Sequence, residues 1–495
     1  MPRAVIVGSG MGGLTAALLL QKFGWQVQVL ERHYRPGGFL HRFFRQGIGY
    51  DTGFHYVGSA APDQLFGRAM KHLGVYDRLR FSELDPEGFD WLWFPDRQFK
   101  VPAGFERWQA ALCAAFPDEA QGIANFGREL KQASRAYGWF HLDLSTPPES
   151  VLPWEECSLQ QVVDRHLKHP QLRAIVCGQT APLYGVVPTE APFGLHAVVT
   201  DHFQQGAYTI EGGGDRLARE LVRELRAGGG SLHLRCPATA IESEDGVAKG
   251  VWSNDRFFPA DLVVTDIHPS LVLDLLPGGA VRPAYRDRVR SAKVGVAHVG
   301  VYFRVDGDLS ALRRRNLYRF RSWEVAEMAQ PVSPDKAPPF YFLAAPGARE
   351  QGRPGTEQVL VAVMMADYAN FETLNGGPNP TRSEAYYAAK TGIEEQFRAV
   401  LAEDFPEWKV LSLESSTPLS THHYTGAPGG AIYGHYHSVA QMGRYRYSSR
   451  IKVRGVLQVG HAIGFPGICG AMMSAYVGCS EILGGETLLA ELKAA

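Results

Sequence analysis

The sequence predicts an α/β protein in which one domain, built on a parallel sheet, is interrupted twice by the segments of a second, α+β domain built on an antiparallel sheet. Three observations predict it. Met1 to Val7 reads as a short buried strand that runs into a glycine turn, an alanine- and leucine-rich helix ending near Gly24, and a second strand from Trp25 to Leu30. Near the other end of the chain, another glycine-rich turn opens an apolar helix from about Ala471 to Leu483. Between them lie long apolar strand candidates separated by loops rich in Gly and Pro. At 495 residues the chain exceeds what a single core usually holds, so two domains are expected. Segments 1–60, 205–290 and 450–495 are assigned to the first, and segments 61–204 and 291–449 to the second.

The amino-terminal turn reads Gly8-Ser9-Gly10-Met11-Gly12-Gly13. Gly8 allows the tight turn, and Gly10 lacks a side chain that would block a pyrophosphate. Gly13, with Gly12, lets the helix pack close to the strand and leaves N–H groups aimed at the phosphates. Glu31 closes the second strand, about 20 residues further on, where an acid meets a ribose hydroxyl. Strand, turn, helix and acid together make a Rossmann-like dinucleotide site. The next residues, Arg32-His33-Tyr34-Arg35-Pro36-Gly37-Gly38-Phe39, place a Gly-Gly pair shortly after the acid. This resembles the extended fingerprint of FAD enzymes of the glutathione-reductase type, which implies FAD as cofactor. The residues expected to hold it are Gly8, Gly10, Met11, Gly12, Gly13, Glu31, Arg32, Gly37, Gly38 and Phe39.

Lys+Arg 50 against Asp+Glu 51 gives a net charge of -1, which argues against nucleic acid as a partner. The six cysteines, Cys113, Cys157, Cys177, Cys236, Cys469 and Cys479, show neither C-x-x-C nor zinc spacing, so free thiols in a reduced compartment are expected. The apolar stretch Leu14 to Leu20 is too short to span a bilayer and is committed to the nucleotide fold. A cytoplasmic protein is expected, with any membrane contact peripheral.

Gly47 to Gly58 is a glycine-punctuated loop rich in aromatic and hydroxyl groups, with Asp51-Thr52-Gly53-Phe54-His55-Tyr56 at its centre. It resembles the Tyr/Phe-Asp-x-Gly segment of the flavin enzymes of the phytoene desaturase, carotenoid isomerase and retinol saturase group, most closely the retinol saturase version. His55 and Tyr56 are then either packed turn residues or groups at the active site. From about Ala60 to Phe203 the chain reads as helical and irregular, with aromatic clusters at Trp91-Leu92-Trp93-Phe94 and Trp139-Phe140-His141-Leu142. Such clusters usually belong to a core. The resemblance implies instead a lipid-facing entrance in this insertion.

Glu211-Gly212-Gly213-Gly214-Asp215 caps a helix with Leu217, Leu221 and Leu225 on one face, and Gly228-Gly229-Gly230 stops it. A hairpin around Glu244-Asp245-Gly246 and a buried strand from Ala260 to Thr265 come next. The family implies contacts to the adenine near Ala238, and Thr265 is included among the cofactor residues. No second G-x-G-x-x-G occurs, so a built-in nicotinamide domain is not expected. Electrons come from an external donor or go to an external acceptor, unless the reaction is redox-neutral overall.

Strands are expected at Val294 to Val305, Phe340 to Ala345 and Gln358 to Ala366, with a helix from about Arg382 to Ala402 and loops at Pro346 to Gly355 and Asn375 to Pro380. The run Arg313-Arg314-Arg315, with Arg319 and Arg321, reads as a solvated face, a headgroup contact being the minority reading. The stretch Thr417 to Gly434, beginning Thr-Pro-Leu-Ser, resembles retinol saturases and carotenoid isomerases. Its His422 and His423, with His435 and His437, are not read as a metal site, since adjacent histidines diverge and no carboxylate completes the set. Near the end, Gly460, His461, Gly467 and Ile468 are expected at the cofactor, because the family points that helix start at the flavin pyrimidine and a helix amino terminus stabilises the charge of reduced flavin. Many related flavoproteins carry aspartate where His461 stands, so the contact to the ribityl chain departs from the pattern.

The resemblance thus implies an FAD-dependent oxidoreductase acting on carbon-carbon double bonds of an apolar polyene or isoprenoid, a carotenoid or retinoid. Saturation, isomerisation and desaturation share this machinery; the first two rank higher on the segments at Asp51 to Tyr56 and Thr417 to Gly434. His55 and Tyr56, then His461, are the candidate catalytic residues, and no metal is expected. A flavin amine oxidase and a flavin-free prenyl-binding module of the GDI type are the alternatives; the intact Gly8, Gly10, Gly13 and Glu31 argue against the latter.

Overall fold

In the computed structural model, residues 1–349, 358–375 and 381–495 are described. The expected loops at 346–355 and 375–380 lie largely outside them, although Pro346–Arg349 forms a helical turn.

Five strands make a wholly parallel sheet in the order Ser231–His233, Gln26–Leu30, Arg3–Val7, Leu262–Thr265 and Val456–Gln458. All five come from the segments assigned to the first domain. Val7 pairs with both Leu30 and Thr265, so by register the three central strands end level. Their next residues, Gly8, Glu31 and Asp266, therefore emerge side by side at the carboxyl edge, where open α/β sheets bind ligands. The helix Met11–Lys22 has its first ten residues buried, packed between the helices Gly213–Ala227 and Gly467–Leu483. Glycine makes this approach close: a Cβ on Gly12 would lie 2.9 Å from Gly460 Cα, and one on Gly13 would lie 2.3 Å from the Gly8 carbonyl oxygen. The helix Leu65–His72 also packs into this core through Leu65, Phe66, Ala69 and Met70, so by contact it belongs with the first domain although it lies past residue 60.

The second sheet has seven strands in the order Lys409–Ser416, Ala297–Asp306, Val359–Ala366, Phe340–Ala344, Asn316–Phe320, Asp90–Trp93 and Gln98–Val101. It is mixed rather than antiparallel throughout, because Asn316–Phe320 and Asp90–Trp93 pair in parallel. Alternation sorts its side chains. Leu317, Tyr341 and Leu343 face the helix Glu384–Asp404, while Tyr318, Phe320, Phe340 and Phe342 face the helical insertion.

Two sequence expectations give way. Trp91-Leu92-Trp93 is strand, not part of a helical stretch, because it finds its partner in a segment more than 200 residues later; Leu92 is core, and Trp91 and Trp93 stack at 5.8 Å. The arginines after residue 313 are not simply a solvated face. Arg315 pairs with Asp85 at 2.5 Å, and Arg319 and Arg321 both pair with Asp404, at 3.0 and 2.9 Å. Trp139 and Phe140 pack against the core under the parallel sheet. Among the described residues no helix is long and apolar enough to cross a membrane, and no group of His, Cys, Asp and Glu has the arrangement of a metal site. All six cysteines are free.

Candidate active site

A cavity of about 530 Å³ runs from the carboxyl edge of the parallel sheet into the space between the two domains. At its first end lie Gly8, Ser9, Gly10, Met11 and Glu31. Glu31 is buried and fixed: one carboxylate oxygen accepts from the Ser9 N–H (3.0 Å) and hydroxyl (2.6 Å), and the other accepts from the His33 N–H at 2.8 Å. Four lone-pair sites are available on a carboxylate, so capacity remains for a ribose hydroxyl. The helix opens at Met11 and Gly12, whose N–H groups have no partner among the described residues, whereas the Gly13 N–H donates to Asp266 Oδ2 at 2.8 Å.

Asp266 is not among the residues expected from the sequence, which reach only Thr265 on this strand. The strand alternates, so the two residues separate. Thr265 is fully buried and its hydroxyl donates to the Leu457 carbonyl at 3.2 Å, off the cavity, while Asp266 lines it. Burial, and Glu31 beside it, push the Asp266 carboxyl up to about 7, against the pull of the Gly13 N–H. A Cβ on Gly10 would sit 2.5 Å from Asp266 Oδ2, so only glycine leaves the turn open.

Gly37, Gly38, Phe39, Ala238, Gly460, His461, Gly467 and Ile468 all line the same cavity. Gly37 (φ 109°) and Gly38 (φ 56°) hold left-handed backbone that carries the chain past the first turn. Gly12 and Gly13 act as packing residues behind it. Arg32 is at the rim, its guanidinium donating to the His423 carbonyl. The partnerless N–H groups, the fixed acid and the turn that only glycine permits fit a dinucleotide lying from Glu31 towards the helix start at Gly467.

Away from the nucleotide turn the same cavity forms a chamber walled by His55, Tyr56, Val198, Phe203, Phe342 and Met365, among others. The Tyr56 ring lies 4.7 Å from Phe203, and His55 lies 5.2 Å from Phe342. Among the described residues, the charged ones along the cavity are Glu31, Arg32, Arg35, Asp266 and Asp274, all from the segments that carry the parallel sheet. The chamber's histidines are neutral at neutral pH. Burial, with Arg349 nearby, pushes His55 down to about 4; burial alone takes His202 to about 3, and burial with His55 takes His298 to about 4. His461 is pushed down to about 4 by burial and by His268. His435 and His437 stack at 4.3 Å, and His437 Nε2 sits 3.0 Å from the His461 carbonyl.

A parallel sheet with this cradle and a second, mixed sheet, with an apolar chamber in the same cavity, are the build of an FAD-dependent oxidoreductase. Residues 11–483 match the flavin containing amine oxidoreductase family, and the chain belongs to it; FAD is its cofactor. Over 97% of its length it is 25% identical to the all-trans-retinol 13,14-reductase of Danio rerio, covering 86% of that protein. Over 50% of its length it is 26% identical to a 4,4'-diapophytoene desaturase (4,4'-diapolycopene-forming) of Methylomonas sp, covering 50% of that protein. An oxidoreductase from Methanosarcina mazei of solved structure superposes with a TM-score of 0.65 at 16% identity, over 96% of this chain and 99% of that one, which shows the shared fold.

Proposed function

We propose that the protein reduces a carbon-carbon double bond of a conjugated apolar polyene, retinoid- or carotenoid-like. The observation that carries this reading is the chamber: aromatic and aliphatic among the described residues, its polar groups neutral histidines and tyrosine hydroxyls, in the same cavity as the helix start at Gly467. The relatives named for retinol reduction and diapophytoene desaturation support it. Bound FAD supplies or accepts a hydride at such a bond. The chain's part is to hold the diphosphate on the Gly8 to Gly13 turn, fix the ribose at Glu31, align the polyene along Phe203 and Phe342, exclude water, and deliver a proton. The electrons come from an external donor. The protein works as a soluble or peripherally bound cytoplasmic enzyme that collects a water-insoluble substrate from a lipid surface.

Anaerobically reduced enzyme given a retinoid or a cis-carotene tests the reading by product mass. A gain of two hydrogens supports reduction, and an unchanged mass with altered geometry moves the assignment to isomerisation. Amine oxidation is the second reading, favoured by the family match over 11–483. Turnover of amines with no change in any polyene overturns the first reading in its favour.

A further inference from the structure

Behind the chamber wall lies a polar cluster that cofactor binding does not use. Asp90 is fully buried, in the strand that pairs in parallel with Asn316–Phe320. Its Oδ2 accepts from the Tyr56 hydroxyl at 2.8 Å and from Gln179 Nε2 at 2.5 Å, and its Oδ1 accepts from Asn316 Nδ2 at 2.8 Å. The Tyr56 and Tyr318 hydroxyls are 2.6 Å apart, and both residues line the cavity. Arg349 hydrogen-bonds to Asn316 rather than to Asp90, donating to Asn316 Oδ1 at 2.9 Å, and acts on Asp90 by its charge. An acid sunk in an apolar wall with hydrogen bonds but, among the described residues, no ion pair is costly to ionise. Such an acid beside a cleft points to chemistry.

We propose that Asp90 is the proton reservoir for reduction in the chamber and that the Tyr56 hydroxyl hands the proton to the polyene. This rests on the polyene-reducing reading of the site. The groups facing Asp90 come from every element around it: Tyr56 from the loop before Val57–Gly58, Gln179 from the turn before Thr180–Tyr184, Asn316 and Tyr318 from one strand, and Arg349 from the helical turn Pro346–Arg349. Burial raises the Asp90 carboxyl to about 7 although Asn316, Tyr56, Arg349 and Gln179 pull it down; burial, with Asp90, holds Tyr56 well above the usual tyrosine range. When Asp90 is ionised, the Tyr56 O–H is drawn to its carboxylate. When Asp90 is protonated, its own O–H donates to the Tyr56 oxygen and frees the tyrosine proton to turn into the chamber. Bound FAD, reduced by an external two-electron donor of the dihydronicotinamide or dithionite type, would supply the hydride that forms the C–H bond on one carbon. The Tyr56 O–H bond breaks as its proton forms the C–H bond on the neighbouring carbon, the Asp90 proton moves to the Tyr56 oxygen, and solvent returns a proton to the carboxylate.

The test uses dithionite-reduced holoenzyme with a retinoid, following the product two hydrogens heavier across a pH series. Wild type should lose rate as pH rises through neutrality, and in D₂O, where dithionite gives electrons alone and both added hydrogens come from solvent, its product should carry two deuteriums. Asp90→Asn and Tyr56→Phe should keep their flavin yet slow reduction by about 10²- to 10⁴-fold, the scale of a lost general acid, with a flat pH profile. Wild-type rate and pH profile in both variants would overturn the relay while leaving polyene reduction standing. If Asp90→Asn fails to fold, Tyr56→Phe decides alone: a retained rate overturns the proposal. No reduced product from wild type itself would remove the reading on which the relay rests.

Discussion

At the nucleotide end of the cavity the acid and the groups that fix it are near neighbours in the chain, Ser9 and Glu31 separated by 22 positions and Glu31 and His33 by 2, although the Gly13 N–H reaches Asp266 across 253. At the chamber end they are assembled from afar, with Tyr56 and Asp90 separated by 34 positions, Asp90 and Asn316 by 226, and Tyr56 and Tyr318 by 262. The first end is built from main-chain N–H groups, glycine and carboxyl groups, and it suits a charged ligand. The second is built from side chains kept neutral by burial, and it suits an uncharged substrate. A site that uses backbone and local turns leaves a spaced motif in the sequence, whereas a site that uses tertiary packing leaves only isolated polar residues in apolar strands.

The largest break in this comparison is expected at the turn. Gly10 has φ −68°, which any residue adopts, so Gly10→Val acts by bulk alone: its Cβ would meet Asp266 Oδ2 at 2.5 Å and its methyls would occupy the diphosphate path. The expected outcome is a folded protein without yellow colour, checked by absorbance and circular dichroism. Full flavin content in this variant would mean that the turn does not hold the cofactor.

Next is the tie between the two ends. Asp51 lies on the hairpin that leads from the nucleotide site to the chamber, and it takes both Arg42 Nε and Nη2 at 2.7 Å with both side chains buried. Asp51→Ala leaves the guanidinium without this carboxylate and should cost about 3–5 kcal/mol, read from denaturant unfolding. A loss below about 1 kcal/mol, the scale of a surface pair, would show that the hairpin does not join the ends rigidly.

The same contrast between local and distant assembly decides how much the sequence reveals. The strand-turn-helix-acid order makes the parallel sheet legible, and the strands Ala297–Asp306, Phe340–Ala344 and Val359–Ala366 stand out as apolar runs. Asp90–Trp93 does not, because its aromatic residues suit a helix as well as a strand until Asn316–Phe320 arrives beside it. Asp266 is hidden by one position: alternation turns Thr265 into the sheet and the next residue into the cavity. Asp90 carries a faint signal, a lone acid within Phe89-Asp90-Trp91, and nothing local tells that Tyr56, Gln179 and Asn316 converge on it. Of the three candidate catalysts, burial leaves His55 and His461 neutral near pH 7, and Tyr56 alone is wired to an acid that titrates there.

A smaller effect belongs to the ribose. Glu31→Ala should weaken FAD by about 1–3 kcal/mol, the range for a hydrogen bond to a charged group, with the chamber unchanged. Titration of apoprotein with FAD, tracked by flavin fluorescence, measures it; unaltered affinity would separate Glu31 from the ribose.

The smallest expected effect sharpens the contrast, because it makes the nucleotide end itself pH-sensitive. Asp266 lines the cavity, accepts from the Gly13 N–H, and has its carboxyl raised by burial to about 7, above the ordinary aspartate value. Below that pH it is protonated and neutral; above it, it is an anion on the wall that a bound FAD diphosphate would face, in surroundings that screen poorly. Two anions repel, so affinity for FAD should be greatest on the acid side and should fall as pH rises through 7, by about tenfold, or about 1.4 kcal/mol, for each unit by which the bound diphosphate raises the carboxyl further. Asp266→Asn keeps the shape and an oxygen for the Gly13 N–H but removes the charge, so its affinity should match the acid-side wild type and stay flat. Thr265→Val, one position away but off the cavity, should retain the wild-type pH dependence. A wild-type affinity that does not change between mildly acid and mildly alkaline buffer, measured by the same fluorescence titration, would show that Asp266 does not face the diphosphate.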